Sequence, residues 1–317
     1  MFVFLFLFIE TLSERSGNQW NDDNLSQLKI SFSNIGLAAF LGYFASNPDP
    51  DVDVDLSVRA RTLISELKDL PSGSLLNSLF ASDEVKENML CKNPLVKATW
   101  LVDKYADHES IVDSFVHLLL DRLGFNDDWL YVFPQMNLPL KYGEIKAKTM
   151  AKADFVVIHV LSFFRMAVVE DKRQQDHMVN SEPQLIAEAI ALSQANSESK
   201  SRKRPVSEIN TATSSSSDGT EDRDVLFGVR VNGLRFYFYV IPVSDAILKA
   251  MKTKRVAESE TKVLRLEKDG EYFDWGVPER RSIIIRVLDK VRSYMSTRGD
   301  GVQRRSSFSQ AGKAHTS

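Results

Sequence analysis

Apolar and polar residues alternate in the first half of the chain with periods that predict both helices and strands. Between residues 108 and 124 the apolar positions recur about every 3.6 residues, which is typical of an amphipathic helix, and Gly124 ends the pattern. Residues 129–133 have the character of a strand, and the segment after them, which contains Pro134 and Pro139, is predicted to be a loop. The first predicted unit is therefore a helix followed by a strand.

Two further apolar runs indicate a hairpin of buried strands. They cover residues 154–160, where Asp154 begins the strand, and residues 166–170, and the connection between them is short. A helix is predicted next, over residues 182–195, because Pro183 is well suited to a first helical turn.

The last third of the chain continues this mixture of elements. Residues 225–231 and 234–241 are predicted strands, and the Asn232-Gly233 pair between them is a strong signal for a type I′ hairpin turn. The remaining predicted elements are a helix at 243–251, a hairpin of strands at 262–266 and 272–275, and a helix at 282–295. This order predicts an α/β (α+β) fold with a central mixed sheet flanked by helices.

Composition divides the chain into an N-terminal arm, a core domain and two polar segments. Residues 1–104 are predicted to form a mostly helical arm, and residues 105–296 the domain that contains the sheet. Within that domain, residues 197–222 include eight Ser, three Thr and no Leu, Phe, Trp, Tyr or Met. Such a segment buries too little apolar surface to offset its ordering entropy. We expect this insert and the polar tail 297–317 to be disordered.

The apolar run from Phe2 to Ile9 is too short to span a bilayer, which requires about 20 residues. It fits the apolar core of a signal peptide, although no Lys or Arg precedes it and Glu10 follows without a small-residue cleavage site. A core segment and an imperfect gene start remain the alternatives. No other stretch predicts a membrane span.

Charge and cysteine content narrow the classes of function. The 317 residues include 40 Lys or Arg and 43 Asp or Glu, a formal net charge of -3, which argues against a bulk polycation that coats nucleic acid. Residues 226–317, however, carry 18 Lys or Arg against 10 Asp or Glu, so a local basic groove remains compatible. The single cysteine, Cys91, excludes an intramolecular disulfide and a Cys-based zinc site, and the five His show no metal-ligand spacing.

Charged residues stand at the ends of the two buried strands of the first hairpin. Glu170 and Lys172 are two residues apart, so on a strand both lie on the same face, and the preceding strand can bring Asp154 beside Glu170. Burial of a charged side chain at such a position costs free energy unless the charge is paired or has a function. Two carboxylates on one face are suitable ligands for Mg²⁺, and a lysine beside them can orient water for attack on a phosphate.

This pattern resembles the PD-(D/E)XK nuclease superfamily, the restriction-endonuclease-like fold. In that family an Asp opens one strand and (D/E)-x-K lies on the next, as Asp154 and then Glu170 and Lys172 do here. Ala153 stands where the family name has proline. The resemblance covers about residues 105–295 and looks nearest to nuclease-like proteins of fungi and oomycetes, some of which are joined to secreted Crinkler-type effectors.

The resemblance also implies assisting residues. Glu109 suits the acidic residue that the family often has on a helix before the first strand, with Asp113 as the alternative, and Gln184 suits a recurrent Gln on the following helix. The implied catalytic set is Asp154, Glu170, Lys172, Glu109 and Gln184. The implied ligands of Mg²⁺, or Mn²⁺, are Asp154, Glu170 and Glu109.

Basic residues around this motif suit a phosphate-bearing partner. The candidate contacts to nucleic acid, with DNA favoured, are Lys146, Lys148, Lys152 and Arg173. The run 200–205, Lys-Ser-Arg-Lys-Arg-Pro, resembles a nuclear-localisation signal, which implies an importin partner and the nucleus as location, with secretion before nuclear entry left open. No membrane partner is expected.

Three alternatives to a nuclease remain. A non-catalytic protein with a nuclease-like core could bind nuclear partners as an interaction or effector protein. The domain could be an unrelated α+β fold. Glu170, Asp171 and Lys172 could also be a solvated strand end with no chemistry.

Overall fold

The part of the chain that the structure describes forms a mixed sheet with helices against both of its faces. The computed structural model describes residues 15–44, 56–68, 70, 93–105, 108–127, 129–143, 149–160, 164–172, 181–203, 225–267 and 272–311. For residues 18, 164–172, 199–203 and 298–311 it describes the backbone alone.

The helices and strands alternate along the chain as follows. The strands are β1 (Ile30–Ile35), β2 (Leu130–Leu140), β3 (Thr149–His159), β4 (Phe164–Lys172), β5 (Val225–Asn232), β6 (Arg235–Pro242), β7 (Thr261–Leu266) and β8 (Phe273–Asp274). The helices are α1 (Asp22–Gln27), α2 (Leu37–Gly42), α3 (Val58–Glu66), α4 (Pro94–Lys104), α5 (Glu109–Arg122), α6 (Glu182–Lys203), α7 (Asp245–Thr253) and α8 (Pro278–Ala311). A short 3-10 helix, Gly17–Gln19, precedes them.

The strand order in the sheet is β1-β7-β6-β5-β4-β3-β2, and β8 pairs with β6. The pairs β1–β7 and β4–β5 are parallel, and the other strand pairs are antiparallel. Helix α6 lies in the crossover between β4 and β5, as a parallel connection requires. The predicted α/β class with a mixed sheet is confirmed.

Each face of the sheet supports its own hydrophobic core, because strand residues alternate between the faces. Phe227, Val229 and Val231 of β5 belong to the core under α2, α3, α4, α5 and α8, which we call the first face. Leu226 of β5 belongs to the core under α1, α6 and α7, which we call the second face. The helix predicted at 108–124 is α5, and its apolar stripe packs on the first face.

Both predicted antiparallel hairpins with short connections in the middle of the sheet are confirmed. Strands β3 and β4 are antiparallel, and so are β5 and β6 around Asn232-Gly233, where Gly233 has φ 62°. This left-handed conformation is the one that a type I′ turn requires and that glycine adopts without a Cβ clash. The predicted hairpin between β7 and β8 is wrong: β7 pairs with β1 and β6, and β8 pairs with β6.

The predicted loop around Pro134 and Pro139 is wrong, because both prolines lie within the continuous strand β2. Among the described strands, β2 forms one edge of the sheet and pairs only with β3. A proline lacks only its own N–H, and on an edge strand that group can face away from the ladder without loss of a hydrogen bond. A strand at the edge of the sheet therefore tolerates prolines that would break the hydrogen-bond ladder of a central strand.

The N-terminal segment is more than the helical arm that its sequence predicts, because residues 30–35 form β1. This strand pairs in parallel with β7, from Ile30 opposite Thr261 to Ile35 opposite Leu266. Phe40 of α2 and Leu63 of α3 are buried in the same core as α5 and α8. The segment therefore completes both the sheet and the core.

Two helices extend into segments that were predicted to be disordered. Helix α6 continues through residues 197–203, and α8 continues from residue 297 to Ala311. Polar composition alone was misleading, because Ser, Glu, Lys and Arg can prolong a helix that is already nucleated by its packed first turns. The remainder of the predicted insert, residues 204–222, and residues 312–317 lie outside the described part of the chain, as does the run 2–9.

Candidate functional site

Asp154 lies at an irregularity that strands β2 and β3 share. The ladder pairs Pro134 with Phe155 and Met136 with Ala153, and it passes over Gln135 and Asp154 between them. Gln135 has φ 48°, a left-handed conformation that side-chain-bearing residues rarely adopt. Asp154 is in mid-strand, so the prediction that it begins the strand is wrong.

On the two sides of this irregularity, residues of β3 that are two apart point to opposite faces of the sheet. Ala153 packs in the core of the second face, whereas Phe155 packs in the core of the first face. In a regular strand, residues two apart share a face, so the strand reverses its alternation at Asp154. The same reversal occurs in β2, where Val132 belongs to the first face and Leu138 to the second. Strained backbone of this kind is concentrated at functional sites.

The register of β3 and β4 brings Asp154 and Glu170 to neighbouring positions. The last residues that pair toward this end are Phe155 and Val169, and Asp154 and Glu170 are the next residue in each strand. On its other side β4 pairs with β5, with Glu170 opposite Arg230 and Lys172 opposite Asn232. The strands thus adjoin as the sequence predicts. The side chains of Glu170 and Lys172 are outside the description, so their contacts stay a prediction.

Helix α5 carries two acidic residues toward this end of β3. The ring of His117 stacks on Phe155, with 6.1 Å between centroids and 14° between planes. The C-terminal end of α5 leads into β2, which starts opposite His159, so earlier turns of α5 lie toward the Asp154 end of β3. Asp113 is one turn before His117 on the same helix face, and Glu109 is two turns before it.

The surroundings of Asp113 favour it over Glu109 as the nearby acid. Oδ1 of Asp113 is buried and has no hydrogen-bond partner within the described residues. A buried carboxylate oxygen without a partner is costly, so such an atom is expected to receive a ligand or a proton. Glu109 is half-buried, is the first residue of α5 and follows His108, the N-cap.

Helix α6 brings a buried carboxylate to the second face. Glu188 is fully buried, and its Oε1 accepts a hydrogen bond of 3.0 Å from Nε2 of Gln184, one helical turn earlier. The helix packs on β2, β3, β4 and β5. At β5 its approach is close, since a Cβ on Gly228 would lie 3.2 Å from Cδ2 of Leu185. Gln184, which was predicted to be an assisting residue, therefore forms its hydrogen bond with Glu188.

A hydrogen-bonded network anchors the first turn of α6 to strands β6 and β7. Oε1 of Glu182 accepts 2.8 Å and 2.6 Å hydrogen bonds from the hydroxyl of Tyr239 and the guanidinium of Arg265. The guanidinium of Arg265 also donates to Glu267 at 3.0 Å. Burial, and then the charge of Glu182, raises the pKa of Tyr239 well above its usual value. This network fixes the position from which Gln184 and Glu188 extend over the sheet.

Of the four predicted nucleic-acid contacts, Lys152 is within the described residues. It is exposed on β3, opposite Asn137 of the edge strand β2. Lys146, Lys148 and Arg173 lie outside the description.

Sequence reasoning noted Glu188 only as a possible neighbour of Gln184, and it missed Arg230. Glu188 is a charge within the apolar helical run 185–192, and Arg230 is a charge between Val229 and Val231 of a buried strand. An isolated charge inside an apolar run was the available signal, because burial of charge needs a specific reason.

No cluster of three or more His, Cys, Asp or Glu that could hold a metal is found among the described side chains, a set without Glu170. None of the described helices is both long and apolar enough to cross a bilayer. Comparison of the chain with family models, with curated proteins and with solved structures found no match.

Proposed function

We propose that the chain is a metal-dependent nuclease of the PD-(D/E)XK type that hydrolyses phosphodiester bonds, with DNA as substrate. The observation that carries this proposal is the register at the end of β3 and β4. Asp154 and Glu170 are the next residues after the pair Phe155–Val169, and Lys172 follows Glu170 by two residues on the same strand. This is the relation that the family's Asp and (D/E)-x-K require.

The order of elements supports a restriction-endonuclease-like core for residues 105–296. Helix α5, the antiparallel strands β2 to β4 and helix α6 follow one another as the family's helix, strands and helix do. The irregular backbone at Gln135 and Asp154 also supports a special role for this point of the sheet, because sparsely populated backbone conformations are concentrated at functional sites.

Asp154 and Glu170, with one acid from α5, would hold Mg²⁺ or Mn²⁺. Carboxylate oxygens suit these hard cations. Oδ1 of Asp113 is buried and has no partner among the described residues, so it suits a metal ion better than the helix-start position of Glu109 does. A bound ion would polarise the phosphate and stabilise its developing negative charge. Lys172 would orient the attacking water, and Gln184 would keep Glu188 in place.

A cleavage assay on the full chain tests this proposal. Plasmid, single-stranded DNA and RNA are incubated with Mg²⁺, with Mn²⁺ or with EDTA. We expect metal-dependent cleavage that falls to background in Asp154→Asn and Glu170→Gln, because each loses a metal ligand. Loss of the water-orienting group in Lys172→Ala should slow cleavage by about 10²-fold or more. Asp171→Asn, on the same strand, is the matched control and should stay active.

Calorimetry separates the remaining possibilities. Asp113→Asn should weaken Mn²⁺ binding more than Glu109→Gln does. Wild-type activity in Glu170→Gln would contradict the site. A chain that binds nucleic acid or protein, but neither binds metal nor cleaves, would be the non-catalytic interaction or effector protein.

The proposed location is the nucleus, with importin as carrier. The proposal rests on the basic run 200–205, of which residues 200–203 belong to α6. Substitution of Lys203 and Arg204 by Ala in a fluorescent fusion should abolish nuclear accumulation, and unchanged accumulation would contradict this proposal.

A further inference from the structure

Four side chains on β5, β6 and the segment before β8 form a row of ring and guanidinium contacts in the order Arg, Tyr, Tyr, Arg, which we call the Arg–Tyr row. The guanidinium carbon of Arg230 lies 3.9 Å from the ring centroid of Tyr237. The rings of Tyr237 and Tyr272 are 5.9 Å apart at 52°, and the guanidinium carbon of Arg235 lies 4.4 Å from the ring of Tyr272. All four side chains are half-buried, so the row is both ordered by packing and open to solvent.

The guanidinium of Arg230 has an N–H group without an acceptor among the described side chains, a set that does not include Glu170. Its Nε is buried and has no hydrogen-bond partner within the described residues. Tyr237, the residue opposite it in the β5–β6 ladder, covers one face of the guanidinium and leaves the in-plane N–H groups as donors. An oxygen-rich anion that approached in that plane would satisfy them.

Arg265, on the same face of the sheet, shows the contrasting arrangement. Its guanidinium donates to Glu182 at 2.6 Å and to Glu267 at 3.0 Å, so two carboxylates neutralise and orient it. Arg265 therefore has a structural role. Arg230 is instead covered by the ring of Tyr237, which orients the guanidinium, and it forms no ion pair with the described carboxylates, a set without Glu170. An arginine built in this way is ready for an anion from outside.

The register connects this row to the proposed site of cleavage. Arg230 is opposite Glu170 in the β4–β5 ladder, and the row continues from there across β5 and β6 toward Tyr272. We propose that the Arg–Tyr row binds phosphate groups of the nucleic-acid strand next to the scissile bond. This inference rests on the proposed nuclease function. A planar guanidinium fork matches phosphate oxygens in two parallel hydrogen bonds, and stacked arginines are favoured in nucleic-acid contacts.

Binding of a fluorescein-labelled single-stranded DNA to the full chain in EDTA, measured by anisotropy, tests the row without cleavage. Arg230→Gln should weaken binding about tenfold, as loss of hydrogen bonds to a charged group does. The slope of log affinity against log salt should become shallower by about 0.7 for one lost phosphate contact on a single strand. Arg230→Lys should keep the slope and lose most of the affinity, because it keeps the charge without the fork.

Arg61→Gln is the matched control, since Arg61 is exposed on α3 and its substitution removes the same charge. Arg235→Gln tests the other end of the row and should also weaken binding. It replaces Arg230→Gln as the test if thermal unfolding shows that Arg230→Gln is unstable. Equal binding by all variants, or competition by polyglutamate as effective as that by DNA, would overturn the proposal. If Arg230→Gln weakens binding in a chain that never cleaves, phosphate binding by the Arg–Tyr row is supported and the nuclease proposal fails.

Discussion

At the scale of single residues, buried polar groups hold the helices on the sheet. Arg281 of α8 is 2% exposed, yet its guanidinium donates to the carbonyl oxygens of Leu67, Leu70 and Trp275 at 2.9 to 3.1 Å. Burial lowers the pKa of Arg281 to about 10. One side chain thus ties the end of α3 to α8, and the network of Glu182, Tyr239 and Arg265 does the same for α6.

The raised pKa of Tyr239 predicts how the free energy of unfolding depends on pH. The unfolded chain releases the phenol proton near pH 10, whereas burial and Glu182 make the folded protein keep it. The free energy of unfolding should therefore fall as the pH rises above 10. Below that pH, Tyr239→Phe should be less stable than wild type by about 1 kcal/mol, the value of one hydrogen bond. Above it, the wild-type advantage should shrink by up to about 1.4 kcal/mol per pH unit.

Urea unfolding of the two proteins between pH 8 and 11 measures this difference. A gap between wild type and Tyr239→Phe that stays constant through pH 10 would show that the phenol ionises alike in both states.

At the scale of elements, strands β2 and β3 share a break in the alternation of their side chains. It allows β3 to contribute Ala153 to one core and Phe155 to the other, with Asp154 at the reversal. The conformation depends on Gln135, whose φ of 48° carries a steric cost for any residue with a Cβ.

Gln135→Gly should therefore stabilise the fold, because glycine adopts this backbone conformation without the clash. The expected gain in the free energy of unfolding is about 0.5–1 kcal/mol, after allowance for the greater freedom of glycine in the unfolded chain. Urea unfolding measures it. Gln135→Ala, which keeps the Cβ, is the control and should give no gain; a loss of stability in the glycine variant would mean that position 135 is not strained.

At the scale of the whole molecule, the N-terminal segment is integral to the sheet. Strand β1 pairs with β7, and the fully buried Leu28, just before β1, packs in the core of the second face with α6 and α7. Leu28→Ala should lower the free energy of unfolding by about 3 kcal/mol through a single transition of the whole protein. Val58→Ala, at a side chain that is 70% exposed, should change it by less than about 0.5 kcal/mol.

Circular dichroism and tyrosine or tryptophan fluorescence, followed together during unfolding, check this expectation. An independent arm would instead give a second transition that Leu28→Ala alone shifts, while the main transition stays at its wild-type position.

Local signals in the sequence determined much of the central architecture. Helical periodicity predicted α5, Asn232-Gly233 predicted the β5–β6 turn, and apolar runs predicted β3 and β4. These signals depend on residues close together in the chain, so they can be read without the fold. The sequence likewise singled out Asp154, Glu170 and Lys172, since charged residues directly beside apolar strand runs are unusual.

Tertiary structure decided the features that join distant parts of the chain. The pairing of β1 with β7, the edge position that admits Pro134 and Pro139 into β2, and the position of Arg230 opposite Glu170 all depend on strand order. Strand order is set by the packing of two cores against one sheet, and no local pattern encodes it. Residue types alone could thus suggest a chemistry, while the folded sheet determines which residues adjoin.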